Sequence, residues 1–294
     1  MEPKSLTSLK NQISSFDPKE FRRGYHSVVK RINASNKKRV HFVCTNEWFF
    51  KSHFIPLSEA AKTLNNLETS LITKFDEVDG TQSVFAIQKH FVNFIRSRIF
   101  SKSTVRTVQF LYQIFRREHP DLIHLIGLRP IIFGGFAALF AKRSAVVYHL
   151  TGTGYLAVNK SLWSKILFAI CLRAIVLFLK QRDSHLIVEN EEDLETLRSK
   201  GNVSDANITI LGGAGVDPEK YNAQPSPNNP QLKVAYVGRM IWSKGVDLLV
   251  ETATKLECRN VDAQFDLYGQ PDRGNLREID ENLLKHWSAR SNFT

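Results

Sequence analysis

Two cations and two glycines lie close together in the stretch AYVGRMIWSKGVDLL, residues 235–249. The glycines are Gly238 and Gly245, and the cations are Arg239 and Lys244. A strand that ends in a glycine turn and leads into a helix offers an anion both free backbone N–H groups and the positive end of a helix dipole. Two long cationic side chains five residues apart can then hold a diphosphate from both sides. Solvated charges on a surface loop are the alternative interpretation.

A histidine near the end of a predicted strand is a second candidate for chemistry. His149 lies in SAVVYHL, and the segment TGTGYL follows, in which Gly152 and Gly154 allow a close backbone approach to a ligand. A histidine here could act as a general base or donate a hydrogen bond to a sugar hydroxyl. A single histidine on a strand is more often structural, and both interpretations stay open.

Side chains after other predicted strands could also reach a ligand, because ligands bind beyond the carboxyl ends of the strands in parallel α/β sheets. The segment NEWFFKSHF is predicted to be a loop, and its aromatic side chains suit either a sugar acceptor or the core. The acceptor-side candidates are Phe50, His53 and Arg129. The remaining candidates at strand ends are Gly215, Asp217, Asp272 and Asn275. If the strands there are parallel, Asp272 and Asn275 face the same crevice edge as Arg239 and Lys244. The acids within 189–193 are interpreted as first-turn residues of a helix, not as an acid/base pair.

The elements that must position these residues alternate between continuously apolar strands and helices, which predicts a parallel sheet covered on both faces. Strands are predicted at 39–45, 67–73, 82–87, 121–127, 144–150, 185–190 and at the start of 208–217. Helices are predicted near 56–65, 104–118, 129–142, 162–180 and 191–199. In the helix at 129–142, small residues permit close packing, namely Gly134, Gly135, Ala137 and Ala138.

The helix at 162–180 is the most apolar segment of the chain. It carries Lys165 and Arg173 within its apolar run. A spanning orientation would place Arg173 near the bilayer centre, at a cost of about 2.5–3.5 kcal/mol on insertion scales. The helix is therefore predicted to be mostly buried against the sheet, and the alternative is a helix that lies on a membrane surface.

A polar segment, AQPSPNN at 223–229, predicts a linker between two α/β domains. After it, strands are predicted at 233–237 and 263–268 and helices at 245–257 and 276–289. A doubly wound domain usually needs more than about 100 residues, so the second domain is predicted to be partial. The predicted divisions are a basic extension at 1–38, a Rossmann-like domain at 39–222, a linker at 223–232 and a partial domain at 233–294.

The net charge of +11 is concentrated at the beginning of the chain. Residues 1–40 carry ten Lys or Arg against three acids, a charge of +7, which leaves +4 for the rest. A basic arm on a nearly balanced body fits an anionic membrane surface or an acidic ligand. No zinc or RNA-binding motif accompanies it, so nucleic acid is not a predicted partner. The polar N-terminus lacks the apolar core of a signal peptide.

The remaining motifs mainly exclude functions. Cys44, Cys171 and Cys258 show no metal spacing and are predicted to be small apolar side chains in a reducing compartment. The sequence has no Walker loop, no nucleophile elbow and no GxGxxG motif at its first predicted helix. Kinase, hydrolase and simple dehydrogenase functions are therefore disfavoured.

Taken in order, the segments resemble family four glycosyltransferases of the GT-B fold. The resemblance is to the bacterial branch that builds surface polysaccharides and glycans on polyprenyl-diphosphate-linked acceptors, and it covers about residues 39–289. The matching segments are VHFVCT, HPDLIHLIGLRPIIFGG, LTGTGYL, VENEEDLETL, GGAGVD, VGRMIWSKGVDLLVE and LYGQPDRGN. The resemblance implies an α/β fold of GT-B type, with a complete Rossmann-like N-terminal domain for the acceptor and a truncated Rossmann-like domain for the nucleotide-sugar donor.

The resemblance also implies roles for the donor-side residues. Arg239 and Lys244, with Gly238 in the turn before them, match the pair that binds the diphosphate of the donor, usually a UDP-sugar. This pair stabilises the leaving group, and no metal or other cofactor is required.

Further correspondences concern the first domain. The residues that match the interdomain glycine loop and the segment before the hinge are Gly152, Gly154, Gly215 and Asp217. Many family members carry a histidine near the position of Thr151, and His149 lies two residues before it.

The implied activity is transfer of a hexose or N-acetylhexosamine, with retention, to a polyprenyl-diphosphate-linked or polysaccharide acceptor. The expected location is cytoplasmic, at the inner face of the cytoplasmic membrane. The family carries a pair of glutamates, separated by seven residues, further into the second domain, and this sequence stops at Thr294 before that motif. The chain as written is therefore expected to bind donor poorly and to turn over slowly or not at all.

Two alternatives remain at this point. One is a UDP-sugar 2-epimerase of the GT-B fold, which would need carboxylates around the nucleotide diphosphate. The other is a non-enzymatic remnant or membrane-associated binding protein that uses the basic arm and the helix at 162–180.

Overall fold

The computed structural model describes most of the chain from residue 37 onward. The described residues are 37–63, 66–75, 88–92, 94, 102–141, 144–153, 161–181, 183–201, 203, 207–216, 219, 221–222, 225, 231–272, 275, 277–290 and 292–293. Nearly all of the basic extension, the strand predicted at 82–87, most of the predicted linker, Gly154 and Asp217 lie outside these residues.

The chain divides into two compact units. The first comprises Met1–Phe94 and Ser101–Val216, and the second comprises Ile95–Phe100 and Asp217–Thr294. Each unit has its own sheet.

A parallel sheet forms the centre of the first unit. Its strands are β1 (Lys38–Asn46), β2 (Leu67–Lys74), β3 (Gln88–Phe91), β4 (Leu122–Ile126), β5 (Ala145–Leu150), β6 (Ser184–Val188) and β7 (Ile208–Ile210). The helices are α1 (Glu47–His53), α2 (Ile55–Lys62), α3 (Lys102–Glu118), α4 (Leu128–Ala138), α5 (Leu162–Leu179) and α6 (Glu191–Gly201). All neighbouring strands pair in parallel in the order β3-β2-β1-β4-β5-β6-β7, which confirms the predicted parallel α/β sheet. The strand order reverses between β1 and β4, the position where doubly wound sheets open a crevice at the carboxyl ends of their strands.

On one face of this sheet, α1 and α2 close an aromatic core. The ring of Phe50 lies 5.5 Å from that of Phe42 and 6.0 Å from that of Phe54. The prediction of a loop at NEWFFKSHF was wrong, because Glu47–His53 is a helix. Phe50 and Phe54 are four residues apart and therefore fall on one helical face. Burying them against β1 stabilises helix α1.

The opposite face is packed against α4 and α5. Gly134 lies against Leu125, and Gly135 lies against the ring of Phe178, so that a Cβ at either glycine would overlap its neighbour. The Phe178 ring in turn stacks on Tyr148 of β5 at 5.7 Å. The small residues of α4 therefore allow the close helix packing that the sequence predicts.

Helix α5 has one buried face and one exposed apolar face. Six of its side chains are buried, namely Ser164, Phe168, Cys171, Leu172, Ile175 and Phe178. Leu162 and Trp163 are 71% and 80% exposed, and Ile166, Ile170 and Leu177 are also exposed. The prediction of a mostly buried helix was wrong, because only one stripe of this all-round apolar helix reaches the rest of the unit. By length and composition alone, α5 could cross a membrane.

A buried ionisable cluster joins β1, β3 and the end of α3. His41 Nε2 and His90 Nε2 lie 3.2 and 3.3 Å from Glu118 Oε2. Burial lowers the pKa of His41 to about 4, against a smaller raising effect of Glu118. Burial alone would raise the pKa of Glu118, but the hydrogen bond from Arg117 and the nearby histidines bring it below its usual value.

The second unit has a smaller sheet. Its elements are β8 (Leu232–Val237), a 3₁₀ turn (Trp242–Lys244), α7 (Val246–Cys258), β9 (Ala263–Tyr268) and α8 (Glu281–Ser288). β8 and β9 pair in parallel over their whole length, so their carboxyl ends arrive at the same edge. Helix α8 begins five residues later than predicted, because the Asp280 side chain accepts a hydrogen bond from Asn282 N at 2.9 Å and caps the helix there.

The three cysteines differ in environment. Cys44 and Cys171 are buried, in agreement with their predicted role as apolar side chains. Cys258 is exposed, so that prediction was wrong for it. It is the last residue of α7 and lies off the buried stripe of that helix, which contains Val246 and Ala253.

Candidate functional site

The turns after β8 and β9 lie directly against each other. Gly238 N donates to Tyr268 O at 3.0 Å, and Met240 N donates to Gln270 O at 3.1 Å. A Cβ on Gly269 would overlap the carbonyl oxygen of Gly238, so this approach requires glycine. The close approach holds Arg239 beside the segment that follows β9.

Arg239 is engaged by an acid from that segment. Its Nη1 atom donates to Asp272 Oδ2 at 2.8 Å, and Asn275 Nδ2 donates to the same oxygen at 2.8 Å. The structure thus brings together three of the predicted site residues. The Arg239 side chain is 44% exposed and that of Asp272 only 10%. A guanidinium has five N–H donors, so Arg239 can stay paired with Asp272 and still donate to an anion.

Lys244 and the beginning of α7 complete a positive region in this unit. Lys244 ends the 3₁₀ turn and is exposed, and Gly245 follows it with φ 74° and ψ 26°. This left-handed conformation suits glycine and lets the chain pass directly from the turn into α7. The free N–H groups of the first helical turn therefore lie next to Lys244 in sequence. The turn also carries one exposed acid, Asp247.

In the first unit, polar residues gather where β4, β5 and β6 end. Gly127, with φ 88°, donates its N–H to His149 O at 2.8 Å. Gly152 follows β5 with φ 127°, and no described atom lies within 4 Å of the place a Cβ would take. No described residue therefore covers the backbone at Gly152.

His149 is buried and is one of two stacked histidines. The rings of His124 and His149 lie 5.4 Å apart and nearly parallel, and His124 Nε2 is 3.3 Å from His149 Nδ1. Phe54 contacts the His149 ring edge-on at 5.2 Å. The other ring nitrogen, His149 Nε2, is buried and lies 3.6 Å from Glu189 Oε1.

The segment after β6 is fixed by side-chain hydrogen bonds. Asn190 Oδ1 accepts from Asp193 N at 2.7 Å, and Asn190 Nδ2 donates to Asp193 Oδ2 at 2.9 Å. Thr153 Oγ1 donates to Asp193 Oδ1 at 3.0 Å. Asp193 is buried and joins the loop after β5 to the first turn of α6. For Asp193, this structural role agrees with the interpretation of the acids within 189–193 as first-turn residues of a helix.

The other predicted site residues have mixed locations. Phe50 is fully buried in the aromatic core and is not open to an acceptor. His53 is exposed at the end of α1, where its Nδ1 lies 2.6 Å from Ser52 Oγ. Arg129 lies in the first turn of α4 and is half-buried. Gly215 adopts φ 66°, and no described atom lies within 4 Å of the position that a Cβ there would take.

The sequence interpretation missed the partner of His149. His124 lies on β4, and Ile126, two residues further, pairs with His149 in the sheet register. Because side chains alternate between faces, His124 and Ile126 share the face on which His149 lies. Two histidines in adjacent apolar strands were the available signal.

The chain is similar to known proteins in sequence pattern and in fold. Residues 39–182 match the family model described as glycosyl transferase 4-like. The Anabaena protein HepE in complex with UDP and glucose is 14% identical, with 88% of this chain and 68% of that chain covered at a TM-score of 0.60. The UDP-GlcNAc 2-epimerase from Neisseria meningitidis bound to UDP-GlcNAc is 14% identical, with 87% of this chain and 71% of that chain covered at a TM-score of 0.58. A glycosyltransferase from Rickettsia africae is 16% identical, with 88% of this chain and 68% of that chain covered at a TM-score of 0.55.

No curated protein matches the chain significantly. At 14–16% identity the structural similarities establish the fold, which is of the GT-B type.

Proposed function

We propose a reaction for this chain, which is a glycosyltransferase-like protein of the GT-B fold with a glycosyl transferase 4-like domain at residues 39–182. The reaction is transfer of a hexose or N-acetylhexosamine from a UDP-sugar to a polyprenyl-diphosphate-linked or polysaccharide acceptor, with retention at the anomeric carbon. In this proposal the second unit binds the donor and the first unit binds the acceptor.

The observation that carries the proposal is the positive region of the second unit. An exposed guanidinium at Arg239, an exposed ammonium at Lys244 and the start of α7 follow one another within eight residues. These groups suit a diphosphate, which offers several anionic oxygens to be bound from more than one side. Solved proteins of this fold include complexes with UDP and with UDP-GlcNAc.

The same groups suit the chemistry of transfer. When the bond between the sugar and the diphosphate breaks, negative charge grows on the departing phosphate oxygen. Cations and N–H dipoles fixed at that oxygen stabilise the transition state more than the bound substrate. Asp272 holds Arg239 in place before the donor arrives, so little side-chain ordering remains for the binding step. In this proposal the reaction uses no metal or other cofactor.

The exposed face of α5 supports a membrane-associated acceptor. Its apolar side chains are accompanied by Lys165, Arg173 and Lys180, all exposed. A helix with an apolar face and basic neighbours suits the interface of an anionic membrane. A position at the inner face of the cytoplasmic membrane would bring the first unit close to a lipid-linked acceptor.

Calorimetric titration with UDP tests the donor site. Because hydrogen bonds to charged groups contribute about 1.5–3 kcal/mol, Arg239→Ala should weaken UDP binding about 10- to 100-fold. Arg259→Ala is the matched control, since Arg259 is an exposed cation just after the other end of α7. Equal losses in the two variants, or wild-type chain that does not bind UDP, would contradict the proposal. Release of UDP from a UDP-sugar in the presence of a polyprenyl-diphosphate-linked glycan then tests transfer.

A UDP-sugar 2-epimerase is the second candidate, because epimerases are among the solved structures with this fold. The family match at residues 39–182 favours the transferase. Proton NMR of UDP-N-acetylglucosamine incubated with the chain alone distinguishes the two. An epimerase inverts C2 without an acceptor, whereas a transferase leaves C2 unchanged.

A membrane-binding protein without turnover is the third candidate. Co-sedimentation with vesicles that contain anionic lipid, with no UDP release in the presence of acceptor, would favour it. Loss of co-sedimentation in Trp163→Glu would place the contact on α5, because Trp163 is 80% exposed on that helix.

A further inference from the structure

The stacked histidines and Glu189 form a polar chain that the donor chemistry does not use. His124 is buried within β4, His149 is buried within β5, and Glu189 follows the last residue of β6. The three side chains lie in one row, with contacts of 3.3 Å between the histidines and 3.6 Å from His149 to Glu189. The row runs from the interior of the first unit to the edge where β5 and β6 end.

The contacts define where the protons lie. Burial lowers the pKa of His124 far below its usual value, so His124 is neutral. Between His124 Nε2 and His149 Nδ1, one nitrogen must donate and the other accept. If His124 Nε2 carries the proton, His149 Nδ1 accepts it, and a neutral His149 then carries its own proton on Nε2, directed at Glu189. If His149 Nδ1 donates to His124 Nε2 instead, a proton on His149 Nε2 is still favoured, because a lone pair there would face a carboxylate.

In this arrangement His149 is not available as a general base. One ring nitrogen accepts from His124 and the other directs its N–H at Glu189. The exposed end of the row is the carboxylate, since the Glu189 side chain is 22% exposed whereas that of His149 is 6% exposed. Only Glu189 can therefore meet a ligand, and it meets it as a hydrogen-bond acceptor.

The surroundings of Glu189 also suit a ligand. Sheet register places Leu150 beside Val188, so the backbone that continues to Gly152 leaves the sheet next to Glu189. No described atom lies within 4 Å of the position that a Cβ on Gly152 would take. A contact of 3.6 Å is longer than a good hydrogen bond, and contacts at such sites are often long until a substrate binds.

We propose that Glu189 binds a hydroxyl group of the sugar acceptor, and that His149 and His124 are positioning residues that orient its carboxylate. The assignment of the ligand as an acceptor rests on the proposed function. Carboxylates are strong acceptors for sugar hydroxyls, and a histidine N–H behind the carboxylate fixes its direction.

Saturation-transfer NMR on the whole chain tests the binding step. The probes are methyl β-D-glucopyranoside, methyl β-D-galactopyranoside and methyl N-acetyl-β-D-glucosaminide, each with and without UDP. We expect at least one glycoside to be saturated by the wild-type chain and Glu189→Ala to weaken that signal about ten-fold, because a charged hydrogen bond is lost. Glu192→Ala is the matched control, since Glu192 is an exposed acid three residues away, and it should leave the signal unchanged.

Nitrogen-detected NMR of the histidine rings tests the positioning step. We expect His149 to carry its proton on Nε2 at neutral pH. His124→Phe keeps an aromatic ring in the stack and removes the donor, so His149 should change to a mixture of tautomers while the thermal unfolding midpoint shows the variant to be folded.

The outcomes separate this inference from the proposed function. Absence of any glycoside signal in the wild type, an equal signal in Glu189→Ala, or a His149 ring without a proton on Nε2 would each overturn the inference. The UDP signal reports on the donor site of the second unit. Its absence would overturn the proposed donor function, while a glycoside signal that depends on Glu189 would still support a hydroxyl-binding carboxylate.

Discussion

The polar groups of the two units are held in contrasting ways. In the first unit His124 and His149 are buried, and their partners are other side chains of the same unit. In the second unit Arg239 and Lys244 are exposed. The buried groups take their geometry from folding, because a low-dielectric interior makes an unpaired polar group costly. Lys244 and the part of the Arg239 guanidinium that faces away from Asp272 remain open to solvent, so an anion can bind to them.

The contrast suggests a division of labour. A site fixed by folding can present a precise hydrogen-bond acceptor to an uncharged hydroxyl, for which geometry matters more than charge. A site of exposed cations can attract a highly charged donor and release the diphosphate afterwards. Changes in the first unit should therefore alter stability, and changes around Arg239 should alter binding.

The strongest test of this contrast removes a buried ring from the first unit. Phe178 is fully buried between Tyr148, Phe136 and Gly135. Phe178→Ala should lower the free energy of unfolding by about 3–5 kcal/mol, because it leaves a cavity in a close-packed core. Urea denaturation measures the loss, and UDP titration of the folded variant should be unchanged.

The matched control for that variant is Phe140→Ala. Phe140 is 68% exposed and contacts Tyr112 edge-on, so its loss should cost less than about 1 kcal/mol. Similar costs for the two variants would show that burial is not what stabilises the first unit.

The second test uses acid pH, which acts on buried histidines. The pKa of His41 is about 4 in the folded state, against 6.5 for an ordinary histidine. Between these pH values the unfolded chain binds a proton that the folded chain does not. The contribution of His41 to the free energy of unfolding is therefore fully present above pH 6.5 and falls as the pH is lowered towards 4. A pKa shift of this size corresponds to a loss of about 3 kcal/mol in the free energy of unfolding. His124, whose pKa is also lowered by burial, adds in the same direction.

Hydrogen exchange followed by peptide mass spectrometry between about pH 7.5 and pH 4.5 resolves this effect by unit. The first unit should lose protection as the pH falls. His286, the single histidine after residue 216, is exposed, so the second unit should respond less. His41→Phe should flatten the pH dependence of the first unit, and an equally steep dependence in that variant would assign the effect to other groups.

The smallest expected effect concerns a helix cap in the second unit. Asp280 caps α8 through Asn282 N, and a cap of this kind contributes about 1 kcal/mol. Asp280→Ala should raise exchange in α8 by a corresponding factor and leave the first unit unchanged. Asp280→Asn should retain most of the protection, because asparagine also caps helices. A loss of protection in the first unit as well would show that the effect of this substitution is not confined to the capped helix.

Much of the architecture could be predicted because it follows from local patterns. Continuous apolar runs such as LIHLI predicted the parallel strands, since strands buried on both faces lack alternation. Small residues at Gly134 and Gly135 predicted close helix packing. In the second unit, the positions of Arg239 and Asp272 after successive strands predicted that both would face the same crevice edge if the sheet is parallel. The sheet is parallel, and the two side chains form an ion pair.

The features that were missed depend on partners distant in sequence. The segment 47–53 contains few strong helix formers, and its helix depends on packing of Phe50 against β1. The exposed face of α5 could not be predicted from an all-round apolar sequence, because such a sequence does not indicate which stripe is covered. His149 was interpreted as a single histidine because its partner lies 25 residues earlier on another strand.

The uneven exposure of the cysteines makes the chain convenient to label. Burial raises the pKa of Cys44 to about 12 and that of Cys171 to about 11, so neither forms the reactive thiolate near neutral pH. Cys258 is exposed, and the sequence contains no fourth cysteine. A maleimide dye should therefore attach at one position, at the end of α7 opposite to Gly245. A fluorophore there would mark the end of α7 opposite to the proposed donor site without any engineered residue.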